Sequence, residues 1–89
     1  MALIKFLDPF NKITQVDSLK MDVKNIREMA EELISTFGKE MDIVLNKEGN
    51  LSSNIVILVN RRNAHTLKGA DTVLHEDSEV IILPYIYGG

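Results

Sequence analysis

The sequence predicts an α+β fold in which a mixed sheet of four or five strands packs on one main helix. Three observations carry this. Residues 26–37 have the apolar spacing of an amphipathic helix; the runs 2–7, 55–59 and 80–83 are mostly or wholly apolar; and turn-forming residues separate them. The chain has 89 residues, 45% of them hydrophobic, enough for one core and too few for two domains.

Ala2 to Leu7 opens the chain as a buried strand. Asp8-Pro9 ends it, because a central strand excludes proline and the residue before it is pushed away from helix. Lys12 to Leu19 alternates weakly, with Ile13, Gln15 and Asp17 against Thr14 and Val16, and reads as a second strand. Ile26, Met29, Ala30, Leu33, Ile34 and Phe37 then form one continuous helical stripe. Asn25 is its N-cap with Glu28 three residues on, and Gly38 supplies the stop.

Glu40 to Leu45 fits a short helical turn, and the stretches 46–50 and 52–54 have loop composition. Ile55 to Val59 is the strongest strand in the sequence. Asn60 to Asn63 reads as a turn, Ala64 to Leu67 as a short edge strand, and Gly69 to Leu74 as irregular. Glu76-Asp77-Ser78 turns the chain into the last strand, Val80 to Leu83, which Pro84 ends. Two strands, a helix, then two or three strands is the β-grasp order, with the first and last strands expected as parallel central neighbours. The reading divides the chain into a domain at 1–84 and a flexible tail at 85–89.

A sheet covered by one helix should alternate apolar and polar residues, yet 55–59 and 80–83 are apolar throughout. One helix cannot cover both faces. Either the second face is exposed as a partner interface, or the segment at 40–45 or a loop covers it.

Composition excludes several classes. A net charge of −3 gives no basic face for nucleic acid, and the absence of cysteine removes disulfides and side-chain thioesters. The N-terminal apolar run is too short for a membrane span and lacks a basic start, so a cytoplasmic protein with no membrane partner is expected.

The chain ends Leu83-Pro84-Tyr85-Ile86-Tyr87-Gly88-Gly89. Beyond Pro84 an extended segment reaches about 20 Å. Two glycines present no side chain, so such an end can thread a narrow channel and leaves its terminal carbonyl open to a nucleophile. At average usage a given glycine pair arises by chance in roughly one chain in 200. The candidate working group is therefore the carboxylate of Gly89, and the candidate partner-contacting residues are Leu83, Pro84, Tyr85, Ile86, Tyr87 and Gly88. A carboxylate must be activated with a nucleotide before it reacts, and this chain has no phosphate-cradling GxxxxGK[ST] loop. The expectation is a substrate of a separate activating enzyme, itself no catalyst, with no tightly bound cofactor and with ATP used by that enzyme.

On these features the sequence resembles the ubiquitin-like sulfur carriers, most of all the small subunit of molybdopterin synthase. The resemblance runs through the opening strand, the helix start Asn25-Ile26-Arg27-Glu28-Met29, and Val56 to Val59 followed by Asn60 and Arg62. Leu74, Glu79-Val80, Pro84, Gly88 and Gly89 complete it. Arg61 and Asp77 stand where the family usually has glycine, and Ser78 where it has aspartate. Asp77 tolerates a left-handed turn, whereas Arg61 suggests a different turn type. Tyr85-Ile86-Tyr87 replaces the smaller stretch usual before the two glycines, so a partner's channel must admit aromatic residues.

The resemblance implies that a ubiquitin-activating-like adenylating enzyme attaches AMP to Gly89 and that sulfur then gives a thiocarboxylate. A further partner, such as the molybdopterin synthase large subunit, would use that sulfur for molybdopterin; thiamin and tRNA thiolation are the alternatives. Archaeal small modifier proteins are similar, and there the terminal glycine is joined to lysines of target proteins. An interaction module with an inert tail is the third class. Other tempting residues have plainer readings. His65 and His75 lack any metal-ligand spacing, Arg61-Arg62 reads as a solvated turn, and Glu31-Glu32 and Glu76-Asp77 as solvent-facing carboxylates.

Overall fold

The computed structural model describes residues 1–85. The elements are β1 (Ala2–Phe6), α1 (Phe10–Thr14), β2 (Ser18–Met21), α2 (Ile26–Phe37), β3 (Ile55–Val59), β4 (Arg62–Asn63) and β5 (Glu79–Pro84). Turns of 3-10 helix lie at Lys39–Val44, Ala64–Thr66 and Gly69–Asp71. The strands form one sheet in the order β2-β1-β5-β3-β4. β1 and β5 are parallel, and every other neighbouring pair is antiparallel. This is the expected β-grasp arrangement, with the first and last strands side by side at the centre.

α2 begins and ends as its sequence demands. The Asn25 side chain accepts the Glu28 backbone N–H at 2.8 Å, and Gly38 stops the helix at φ 88. Ile26, Met29, Ala30 and Leu33 are fully buried against the sheet, while Ile34 and Phe37 are half-buried at its margin. Each large apolar side chain removed from water there stabilises the fold by about 1.5–3 kcal/mol. The 3-10 turn at Lys39–Val44 packs against α2 and adds Met41 and Val44 to the same core. It therefore covers the helix side and leaves the other face of the sheet untouched.

Four expectations need correction. The stretch 12–19 is not one strand: α1 occupies Phe10–Thr14 and β2 starts only at Ser18. Phe10 and Thr14, one helical turn apart, are both buried, and that contact decides between helix and strand. The edge strand is Arg62–Asn63, not 64–67, which is a 3-10 turn capped by Asn63 Oδ1 accepting the His65 N–H. Arg61 takes φ 72 and Asn60 φ 50, so the arginine sits in the left-handed region that a glycine would take without strain. Asp77 does not take a positive φ. The turn before β5 is closed instead by Ser78, whose N–H donates to His75 O and whose buried Oγ accepts the His75 N–H.

Arg27 joins three segments. It pairs with Asp71 at 3.1 Å from the first turn of α2 and donates to the carbonyl of Gly49 in the 46–50 loop. The Asn60 side chain likewise accepts the Glu79 N–H, tying the β3–β4 turn to the start of β5.

Candidate functional site

Strand alternation divides the sheet residues between two faces. Ala2, Ile4, Phe6, Ile55, Ile57, Val59, Val80 and Ile82 are buried under the helix. Val56 and Leu58 of β3 point the other way, as do Ile81 and Leu83 of β5. In register, Val56 opposes Leu83 and Leu58 opposes Ile81, which gives a continuous apolar strip of half-buried side chains. These four side chains remain partly accessible, and the 3-10 turn at Lys39–Val44, packed on α2, does not cover them. Lys5 and Glu79, paired at 3.1 Å, bound the strip on the β1 side.

The strip ends with β5. Pro84 is the last residue of β5, opposite Ile55, and the Tyr85 N–H still donates to Asn54 O at 3.2 Å. The backbone is thus held one residue past the proline. Reach is counted from Tyr85, and four extended residues span about 14 Å, shorter than the 20 Å expected from sequence. Leu7, with its N–H on Ile82 O, stands exposed at this end, and Phe6 N donates to Asp17 O next to the exposed Val16. The β1–α1–β2 connection thus adds one exposed apolar side chain, Leu7, beside the end of β5, with Val16 exposed across β1 from it.

Of the sequence-predicted site residues, Leu83 lies in the strip, Pro84 closes the strand and Tyr85 is half exposed at the root. Ile86, Tyr87, Gly88 and Gly89 lie outside the described residues. Leu7 was missed, because nothing local marks an apolar residue after a strand as lying beside another strand some seventy positions away. Arg61 and Arg62 sit at the opposite end of the sheet, where Val59 pairs with Val80. Among the described residues, no group of His, Asp or Glu could hold a metal ion, and no helix is long and apolar enough to cross a membrane.

Helix, sheet order and a bare apolar face beside the last strand define a ubiquitin-like β-grasp protein. The sequence bears this out: the chain belongs to the ThiS family, which it matches over residues 4–89. It is 31% identical over 75 residues to a protein of Archaeoglobus fulgidus assigned as a sulfur carrier, covering 84% of this chain and 82% of the relative. In structure it is similar to small archaeal modifier protein 1 of Methanosarcina acetivorans, with a TM-score of 0.82, 22% identity, and coverage of 99% of this chain and 95% of that one. A chain of the BexX/CysO complex of Amycolatopsis orientalis superposes with a TM-score of 0.87 at 17% identity, both chains being covered in full. At those identities the structural likenesses speak for the fold alone.

Proposed function

We propose that this protein is a sulfur carrier whose Gly89 carboxylate is activated by a separate adenylating enzyme and converted to a thiocarboxylate, with molybdopterin as the acceptor of the sulfur. The observation that carries the reading is the course of β5, which runs from the core along a half-buried apolar strip to a backbone-held Tyr85, four residues in sequence before Gly89. The ThiS family match and the relative assigned as a sulfur carrier support it.

The chemistry proceeds in two balanced steps. The Gly89 carboxylate oxygen attacks the α-phosphate of ATP, forming an acyl adenylate and releasing pyrophosphate. Hydrosulfide then attacks the carbonyl carbon, forming the C–S bond as the C–O bond to AMP breaks, so that AMP leaves and sulfur replaces one oxygen. The chain's own contribution is positional. The strip binds the enzyme, and the two residues lacking Cβ atoms let the carbonyl enter a channel.

A second reading is conjugation of Gly89 to lysines of target proteins, which needs the same activated carboxylate at a Gly-Gly end. Intact mass after incubation with an activating enzyme of the ubiquitin-activating class, ATP and sulfide separates the readings. A gain equal to one oxygen-for-sulfur exchange, absent when Gly89 is deleted, supports the carrier. Lysine-linked conjugates in the native host without that gain favour the modifier. Absence of both leaves an interaction module.

A further inference from the structure

A cavity of about 290 Å³ opens beside Tyr85, lined with it by Ser53, Ile55, Val56, Asn63 and His65. Val56 belongs to the apolar strip, and Asn63 is the β4 partner of Leu58, so cavity and strip are continuous. The length of chain that follows says what covers it. Four residues reach about 14 Å from Tyr85, whereas the far end of β5 at Glu79 lies six residues back, about 20 Å at strand rise. An enzyme holding the Gly89 carboxylate in its active site therefore covers the tail-side end of the sheet. The far end, where a second cavity of about 450 Å³ lies among Met1, Asp22 and Glu76, is beyond the reach of those four residues.

We propose that the tail-side cavity is an anchor pocket for one apolar side chain, of leucine or phenylalanine size, projecting from the activating enzyme. The proposal rests on the carrier reading and adds to it a contact on the folded domain, separate from the tail. The apolar lining suits such a side chain, and the exposed His65 stands at its edge. An anchor seated there fixes the root of a short segment, so less freedom is lost when the carboxylate enters the active site.

Ser53→Trp fills the cavity from an exposed position, and Glu76→Trp places the same bulk at the far cavity. The readout is the KM and kcat for ATP–pyrophosphate exchange catalysed by the ubiquitin-activating-class enzyme of the same genome. The expected result for Ser53→Trp is a KM raised about tenfold with kcat little changed, as for loss of one anchor contact, and an unchanged KM for Glu76→Trp. His65→Glu, which sets a carboxylate at the edge of the pocket, should raise KM in the same direction and decides the matter if Ser53→Trp does not fold. Wild-type KM in a folded Ser53→Trp, or in His65→Glu when the first is unfolded, overturns the pocket. An equal rise in Glu76→Trp overturns it too. If the unaltered protein supports no exchange at all, the carrier reading falls, and the pocket with it.

Discussion

Arg61 shows how a single residue can carry strain that its neighbours impose. Asn60 is fixed from both sides, its N–H on Glu79 O and its side chain on the Glu79 N–H, so the chain must reverse at once and Arg61 is held at φ 72. A side chain there costs about 1–2 kcal/mol, partly offset in a glycine variant by the greater freedom of its unfolded chain. Arg61→Gly is therefore expected to raise stability by roughly 0.5–1 kcal/mol, measured as a higher urea midpoint at unchanged slope. An unchanged or lowered midpoint means that the guanidinium makes contacts worth more than the strain. Arg27 is the opposite case, since its side chain spans α2, the 46–50 loop and Asp71. Arg27→Ala should cost about 1–2 kcal/mol, mainly through the Gly49 carbonyl left without its donor, and should speed amide exchange in that loop.

Among the elements, β3 and β5 matter most because both of their faces are apolar and only one is covered. From sequence, Ile57 and Leu58 are equivalent members of one run; in the sheet Ile57 is fully buried and Leu58 half-buried on the free face. Ile57→Asp is expected to abolish folding, seen as loss of the cooperative thermal transition, since an unpaired carboxylate cannot be accommodated in the core. Leu58→Asp should keep the fold within about 1 kcal/mol and weaken association with the activating enzyme at least tenfold by calorimetry. If Leu58→Asp binds as well as wild type, the strip is not the docking face. The helix offers a simpler check: Asn25→Ala should cost about 1 kcal/mol by loss of its cap to Glu28.

For the molecule as a whole, the parallel pairing of β1 with β5 places the first and last strands in the middle of the sheet, with β5 ending at Pro84 beside the apolar strip. Stability and function are thereby separated. Deleting Gly89 should leave the unfolding free energy within a few tenths of a kcal/mol, as is usual for the last residues of a domain, while removing the oxygen-for-sulfur mass gain completely. Retention of that gain by the truncated chain would sink both carrier and modifier readings.

The sequence by itself determined the helix at 26–37, the apolar strands β1, β3 and β5 and the Gly-Gly end, because each is written locally, as a period, a cap, an apolar run or a missing side chain. It also required that one sheet face lack cover, since a single helical stripe cannot shield two apolar faces. What only the tertiary structure decided is which side chains those are, that α1 displaces the first half of the expected second strand, and that Leu7 stands beside the end of β5. Those outcomes depend on packing between residues far apart in the chain. Phe10 turns helical because it and Thr14 find buried sites together, and Val56 and Leu83 meet only because β3 and β5 align in one register. Periodicity specifies what a segment can bury; the partner strands and the space beneath the helix decide which of its faces is buried.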